Sequence, residues 1–260
     1  MLIDTHCHLP TDITLARKMF DETKEVGVTR LINIGTSIKD SKNAVKIAEA
    51  LDGVYATAAV YPHEDMDVDI KTLKVELQAI IDSSKKVVAV GECGIDISNW
   101  QGGRKIEEQV KLFEMQVELA LQNDLPLILH NRGGDTEILD ILTTYKRIHG
   151  EKLRGVSHCF ASSPETAQKL LDLGFLISFS AMITYPSRKE LLEVVKAVPN
   201  NMFLVETDAP YLPPQGHRGE QNHPKYVRIV AQKVAEVRMA PFDQICDYSY
   251  QNASRIFIFK

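Results

Sequence analysis

Cysteine is scarce in this chain of 260 residues, which contains only four. Cys7, Cys93, Cys159 and Cys246 lie far apart, and no two of them form a CxxC pair. Disulfide frameworks and structural zinc knuckles depend on recurring, closely spaced cysteines, so the sequence favours neither. We expect four reduced thiols that pack in the interior.

Long hydrophobic runs are also missing. Charged residues interrupt every apolar stretch before it reaches the roughly 18 residues that cross a bilayer. The first residues, Met1 to Asp4, lead directly into a His-Cys-His cluster and leave no room for a secretion signal. We therefore expect a cytoplasmic protein that has no membrane partner.

An excess of positive charge is absent as well. The chain has 30 Lys and Arg residues against 35 Asp and Glu residues, which gives a formal net charge of -5. A broad basic surface for polyanions is not expected from this balance. Any anionic substrate must be attracted by a few local cations.

Short apolar stretches rich in Val, Ile and Leu alternate with longer amphipathic stretches along the chain. This alternation is typical of βαβ units that build a parallel sheet. Because 44% of the residues are apolar, a chain of this length can bury one sizeable core, and we expect one domain, residues 1–260. The eight predicted strands are Leu2 to His8, Arg30 to Gly35, Val54 to Val60, Val87 to Glu92, Leu125 to His130, Gly155 to Cys159, Leu176 to Phe179 and Phe203 to Thr207.

The stretches between these strands predict helices. From Lys105 to Asn123, for example, Val110, Phe113 and Val117 share one stripe and polar residues fill the opposite face. Eight strands with crossover helices close most naturally into a (β/α)8 TIM barrel. The other predicted helices are Asp40 to Leu51, Asp69 to Ile81, Asp135 to Lys146, Pro164 to Leu173, Pro186 to Ala197, Lys225 to Val237 and Pro241 to Ile256.

Two histidines occupy alternate positions of the first predicted strand. His6 and His8 therefore point to the same face and can hold one cation together. Taken alone, the pair is equally compatible with two partly buried polar residues at a strand end.

Four further candidate ligands stand at the ends of later strands, on the barrel face where active sites are assembled. A full set of candidate ligands at strand ends is hard to attribute to chance. We therefore expect the six side chains to form one metal centre. The four residues are Glu92, His130, His158 and Asp208.

Imidazoles and carboxylates together suit divalent cations, and we expect two of them, with Mg, Mn and Zn as the candidates. Glu92 lies near the middle of the set and is our choice for a bridge between the cations. Two such cations would polarise a phosphoryl oxygen and activate water, while Asp208 would orient the water and accept its proton.

The motifs of this chain resemble the TatD family of metal-dependent deoxyribonucleases, in the amidohydrolase-like barrel superfamily. The resemblance spans essentially the whole chain. Its motifs are Asp4-Thr5-His6-Cys7-His8-Leu9, Gly91-Glu92-Cys93-Gly94-Ile95-Asp96, Gln109 with Phe113, Gln116 and Ala120, Pro126 with His130 and Arg132, His158-Cys159-Phe160, Glu206-Thr207-Asp208-Ala209-Pro210, Arg218-Gly219 with Asn222, and Asn252-Ala253 with Arg255.

The resemblance implies a (β/α)8 barrel and a division of labour among the ligands. His6 and His8 would bind the first metal with Asp208, while Glu92 would bridge and His130 and His158 would hold the second. Characterised members of the family are Mg- or Mn-dependent nucleases that trim DNA from the 3′ end or fragment it. DNA is therefore the expected substrate, and the acidic balance of the chain implies weak, local binding.

Three residues are candidates for contacts with the substrate. The family often has His-Pro-His after strand three, where this chain reads Tyr61-Pro62-His63, so His63 is left as a phosphate contact or a structural histidine. Arg132 could make a bidentate phosphate contact or a salt bridge at the barrel mouth. Arg218, in the loop after strand eight, is a weaker candidate for the same role.

Two other functions stay open at this point. A barrel amidohydrolase would act on amides, lactones or small phosphate esters, and such enzymes frequently bridge their metals with a modified lysine at the end of strand four. Glu92 occupies that position here, while Lys85 and Lys86 precede the strand. A barrel that only binds a partner would have lost ligands, whereas all six are present.

Overall fold

The computed structural model describes residues 1–98 and 100–259, so Asn99 and Lys260 of the predicted domain lie outside the described residues. Its eight strands are β1 (Leu2–Cys7), β2 (Val28–Asn33), β3 (Val54–Ala58), β4 (Val87–Asp96), β5 (Leu127–Arg132), β6 (Gly155–Ser157), β7 (Phe175–Phe179) and β8 (Phe203–Val205). All seven pairings between consecutive strands are parallel, in the order β1 to β8.

The first strand meets the chain that follows the last one, and this contact closes the barrel. The backbone N–H of Asp208 donates to the carbonyl of His6 at 2.9 Å, and that of His8 donates to Ala209 at 2.7 Å. The predicted (β/α)8 TIM barrel is confirmed. Closure brings the last candidate ligand, Asp208, next to the first two.

Nine helices surround the sheet within the described residues. They are α1 (Ile13–Lys24), α2 (Ile38–Ala50), α3 (Ile70–Ser83), α4 (Ile106–Gln122), α5 (Asp135–His149), α6 (Pro164–Asp172), α7 (Glu190–Ala197), α8 (Val227–Arg238) and α9 (Phe242–Ile256). No described helix is both long enough and apolar enough to cross a membrane.

Side chains start several of these helices. Ser163 accepts a hydrogen bond from the N–H of Thr166 and precedes Pro164 at the first position of α6, as the sequence predicts. Asp69 caps α3 in the same way. These caps satisfy N–H groups that have no partner inside the helix.

Two apolar clusters hold the barrel together. The larger one lies between the strands and the surrounding helices. The smaller one fills the barrel, since every strand contributes to it and the end of α9 closes it with the fully buried Phe257. One residue from each strand in turn is Ile3, Ile32, Tyr55, Val88, Ile128, Val156, Leu176 and Leu204.

The element boundaries differ from the sequence-based expectations in a few places. Strand β4 continues four residues past Glu92 to Asp96, whereas β8 stops at Val205, so Asp208 lies on the loop that follows it. The predicted helix from Pro186 is interrupted: a short 3-10 turn covers Pro186–Arg188 and α7 begins at Glu190. Helix α1 was not predicted, because its buried face consists of only Ala16, Phe20 and Thr23.

Candidate metal centre

The first group of candidate ligands joins β1 to the loop after β8. His6 is fully buried and His8 is partly exposed, and both present Nε2 to the same carboxylate oxygen. That oxygen, Oδ1 of Asp208, lies 3.7 Å from His6 and 3.6 Å from His8. The three ligand atoms are close enough together to hold one cation.

The second group lies across the barrel mouth, on β5 and the loop after β6. Nδ1 of His130 and Nε2 of His158 are 3.4 Å apart, and both face the carboxylate of Glu92. These three residues also form a set that could hold a metal ion.

Glu92 stands between the two groups and offers one oxygen to each. Its Oε2 lies 3.3 Å from Nε2 of His6 and 3.9 Å from Nε2 of His8. Its Oε1 lies 2.6 Å from Nδ1 of His130 and 3.1 Å from Nε2 of His158. A carboxylate placed this way can bridge two cations.

The donor set fits divalent cations. Both ring nitrogens of the buried His6 lack a hydrogen-bond partner among residues 1–98 and 100–259. A buried polar atom without a partner is costly, and a cation bound at Nε2 would remove that cost for one of the two nitrogens. Imidazole nitrogens with carboxylate oxygens suit Zn and Mn, and carboxylate-rich sites also take Mg.

Charge is distributed unevenly across these side chains. Burial opposes the charge of Glu92, but His158, His130 and His6 outweigh it and hold the pKa of its carboxyl well below the usual range. Burial likewise opposes charge on His8, His130 and His158, yet neighbouring carboxylates raise the pKa of all three. The centre is therefore built to hold positive charge, as protons or as cations.

Two buried carboxylates support the candidate ligands from behind. Oε1 of Glu206 lies 3.2 Å from Nδ1 of His158, and Oδ2 of Asp96 lies 3.3 Å from Nε2 of His130. Glu206 could also be counted as a ligand with His6 and His158. We assign it a supporting role, because its oxygens already accept from the N–H of Cys159 and the hydroxyl of Ser178.

Neither supporting carboxylate was singled out from the sequence. Both occur in the quoted motifs: Glu206 stands two residues before Asp208, and Asp96 stands four residues after Glu92. Alternate positions of a strand share a face, so the spacing between Glu92 and Asp96 on β4 was the available signal. Glu206 lies after the end of β8, where strand spacing gives no such signal.

A third buried carboxylate, Asp4, fixes the chain around Asp208. It accepts from the N–H of Thr207 at 2.9 Å, from the Thr207 hydroxyl at 2.5 Å and from the N–H of His6 at 3.3 Å. Asn222 donates to the carbonyl of Thr207 at 2.8 Å from the other side. Asp208 itself has φ 59°, a left-handed conformation that aspartate tolerates better than most residues.

The three residues predicted to contact the substrate differ in whether their side chains are free to do so. His63 is buried: its Nε2 lies 3.1 Å from the carbonyl of Asp96 and its Nδ1 accepts from the N–H of Arg104 at 3.1 Å. The ring also stacks on Trp100, with 5.0 Å between ring centroids. These contacts favour the structural interpretation of His63, and its phosphate contact stays a prediction that the geometry does not support.

The two arginines are exposed. Arg132 ends β5 and lines the cleft over the metal centre, and within the described residues no carboxylate lies within 4.0 Å of it. The salt-bridge alternative for Arg132 is therefore not what the structure shows. The guanidinium of Arg218 lies over the ring of Tyr185, 4.8 Å from its centroid, and Arg218 is outside the residues that line the cleft.

The cleft above the candidate ligands has a volume of about 1020 Å³. Glu92, His130, His158 and Asp208 are at its floor, and aromatic residues border it at Tyr61, Trp100 and Tyr211. The hydroxyl of Tyr61 donates to Asp96 and lies 3.3 Å from Nε2 of His130. A substrate of several tens of atoms can therefore reach the metal centre.

Comparison with known proteins places this chain among relatives of the same length. The model of the family described as "TatD related DNase" matches residues 3–258. A protein of Bacillus subtilis named "Uncharacterized metal-dependent hydrolase YabD" is 35% identical, over 99% of both chains. A Mycobacterium tuberculosis protein named "Uncharacterized metal-dependent hydrolase TatD" is 30% identical, over 98% of this chain and 97% of its own.

A solved structure extends the likeness to three dimensions. The crystal structure of YjjV, a TatD homologue from Escherichia coli K12, superposes with a TM-score of 0.91 at 28% identity, covering 100% of this chain and 98% of that one. The family model spans nearly every described residue, and its relatives carry the name of metal-dependent hydrolases. The chain therefore belongs to the family of TatD-related DNases, the TatD metal-dependent hydrolases.

Proposed function

We propose that this protein is a phosphodiesterase that binds two divalent cations and removes nucleotides from the 3′ end of DNA. The observation that carries the two-cation part is the position of Glu92, whose two oxygens face two separate groups of ligands. The DNA part is supported by the description of the family and by the positively charged side chain of Arg132, which lines the cleft.

Six side chains would hold the two cations. His6, His8 and Asp208 would bind one, His130 and His158 would bind the other, and Glu92 would contact both. Cations bound there would polarise a phosphoryl oxygen and make water a stronger nucleophile at neutral pH. The chain supplies the negative charge that retains them and the buried carboxylates that orient the imidazoles.

Asp208 is our candidate for the group that accepts a proton from the attacking water. Its side chain is 13% exposed, which makes it reachable from the cleft, and its backbone is fixed by the Asp4 and Thr207 hydrogen bonds. An anchored carboxylate that a water in the cleft can reach is suited to act as a general base.

Arg132 is our candidate for the contact with the substrate phosphate. Its guanidinium is exposed in the cleft and carries no ion pair within the described chain, so its donors are available to an anion. A planar guanidinium can donate two parallel hydrogen bonds to one phosphate group. This local cation offsets the net charge of -5 at the point where a phosphodiester would enter.

The experiment compares bond types under controlled metal supply. The protein would be purified with EDTA, supplied with Mg, Mn or Zn, and assayed on end-labelled single-stranded DNA beside a panel of amides and lactones. We expect metal-dependent release of nucleotides from the 3′ end. Turnover of amides or lactones with no cleavage of phosphodiesters would refute the proposal.

A variant tests the metal assignment separately. Glu92→Gln keeps the size of the side chain but removes the charge that faces both ligand groups, so we expect loss of metal binding and of activity. Glu193→Gln, on the outer surface of α7, is the matched control. Metal binding by isothermal titration calorimetry would decide: unchanged stoichiometry and full activity in Glu92→Gln would contradict the assignment.

A further inference from the structure

A side lobe of the cleft lies between β2 and α2, beside the metal centre. Four residues of α2 line it at the three- and four-residue spacing that places side chains on one helix face: Asp40, Asn43, Ala44 and Ile47. The first two are partly exposed, whereas Ala44 and Ile47 are 2% and 1% exposed. The lobe therefore has a polar entrance and an apolar floor.

One buried amide points into this lobe. Asn33 ends β2, is 3% exposed and lines the cleft. Its Oδ1 accepts from the N–H of Leu9 at 2.8 Å, and this bond fixes the orientation of the amide, because an N–H group pairs with the oxygen and not with the nitrogen. Nδ2 then faces the other way and has no hydrogen-bond partner among the described residues.

Apart from Glu92 and Asp208 at the floor, the charged residues that line the cleft are divided between its two sides. Arg132, at the end of β5, and Arg188, after β7, are on one side. Asp40 and Glu64 are on the opposite side, where the lobe opens near β2 and β3. A phosphate is thus attracted toward the arginines and repelled from the lobe, so the lobe suits an uncharged group.

We propose that the lobe binds the nucleobase of the nucleotide whose phosphate lies at the metal centre. A base is flat and uncharged, with apolar faces for Ala44 and Ile47 and polar edges for the amide and carboxylate groups. Nδ2 of Asn33 donates to a carbonyl oxygen or ring nitrogen of the base, and Asp40 accepts from a ring N–H or an exocyclic amine. The position of the phosphate rests on the proposed function.

Two substrates with the same leaving group isolate the contribution of the nucleoside. Thymidine 5′-(p-nitrophenyl) phosphate carries a base, and methyl p-nitrophenyl phosphate does not. The ratio of their kcat/KM values measures what the nucleoside adds. We expect the metal-loaded protein to favour the thymidine ester, because only that ester can occupy the lobe.

Two variants alter the lobe in different ways. Asn33→Asp keeps the oxygen that accepts from Leu9 but replaces the free donor by an acceptor, and Asn43→Leu covers the entrance with an apolar side chain. We expect Asn33→Asp to lower the preference for the thymidine ester about five- to tenfold, the worth of one hydrogen bond. Asn43→Leu should also lower it, because the larger apolar side chain blocks the entrance. Lys46→Leu, on the exposed side of the same helix, is the control and should leave the preference unchanged.

Binding of thymidine itself separates this inference from the proposed function. Saturation-transfer NMR on the metal-free protein would report contact with the nucleoside even if neither ester is hydrolysed. Contact with thymidine without hydrolysis of either ester would refute the phosphodiesterase proposal but not the lobe. Loss of thymidine contact in Asn33→Asp and Asn43→Leu supports the lobe. An unchanged ester preference, or unchanged thymidine contact in both variants, overturns it.

Discussion

Glu206 illustrates how much one buried carboxylate can do for a residue it supports. It is 1% exposed and lies 3.2 Å from Nδ1 of His158, so it holds the ring with Nε2 directed at Glu92. Carboxylates that orient a metal-binding histidine in this way contribute to metal affinity without touching the cation.

We therefore predict that Glu206→Gln weakens metal binding while the protein still folds. The isosteric amide can keep the hydrogen bond from Ser178 but no longer strengthens the basicity of His158. The expected loss is about 10- to 100-fold in affinity. Competition with a chromogenic chelator would measure it, and an affinity equal to that of the unaltered protein would show that Glu206 has only a packing role.

Metal binding should also depend on pH through three of the histidines. Neighbouring carboxylates raise the pKa of His8, His130 and His158, so these rings hold a proton at pH values where an ordinary histidine, with a pKa near 6.5, has lost it. A cation needs the neutral ring and must displace that proton.

The predicted sign follows: affinity falls as pH falls, and the fall begins above the ordinary histidine range. Calorimetric titrations with Mn in two buffers of different ionisation enthalpy would count the protons released on binding. Binding without proton release, with equal affinity at pH 6 and pH 8, would contradict the prediction.

At the residue scale, the sequence indicates the candidate ligands at the strand ends but not the buried carboxylates that support them. Spacing and strand position were enough to collect His6, His8 and Glu92 into one candidate centre. The contacts of Asp4 depend on the closure between β1 and the chain after β8, and those of Glu206 depend on the packing of that chain beside β6 and β7. No local pattern encodes either arrangement. His63 shows the converse, since its motif does not reveal that both ring nitrogens contact the main chain.

At the scale of elements, α4 acts as a clamp on two strand ends. Gln116 accepts from the N–H of Val60 at 2.8 Å and donates to its carbonyl at 3.0 Å. Gln109 does the same for Asp96, at 2.9 and 3.0 Å. Both glutamines are buried, and they replace sheet partners that the chain lacks as it leaves β3 and β4.

Gln116→Leu should consequently destabilise the protein, because it leaves a buried N–H and a buried carbonyl of Val60 unpaired. Each such group costs about 1 to 3 kcal/mol, so for the two groups we predict a loss of about 2 to 6 kcal/mol in the free energy of unfolding. Urea denaturation would measure it. Gln168→Leu, on the exposed face of α6, provides the comparison, and equal stability of the two variants would rule out the clamp.

Elements themselves were predictable to the extent that their apolar patterns were strong. All eight strands could be placed from runs of Val, Ile and Leu, whereas α1, with a narrow buried face, could not. The hydrogen bonds of Gln109 and Gln116 to strand ends could not be predicted either, since the sequence pattern does not show which group a buried glutamine contacts.

At the scale of the whole molecule, the candidate ligands connect distant parts of the barrel. Cations bound to them would link β1, β4, β5 and the loops after β6 and β8. A ligand that binds only the folded state adds about 2.7 kcal/mol at 100 times its Kd.

Removal of metal should therefore lower the melting temperature. For a chain of this size, 2.7 kcal/mol corresponds to about 5 to 10 °C. Differential scanning fluorimetry with excess Mn, and again after EDTA, would measure the shift, with Glu92→Gln as the control that should not respond. A melting temperature that is the same with and without Mn would contradict this link between the metal centre and the barrel.

The closure between His6 and Asp208 also determines when, during synthesis of the chain, the first metal site can form. A ribosome that has made residues 1–207 has delivered five candidate ligands but not the sixth, which stands at position 208. A nascent or truncated polypeptide that ends before Asp208 would thus lack a complete first site. A metal held at the first site would then show that Asp208 has been made and has met the first strand.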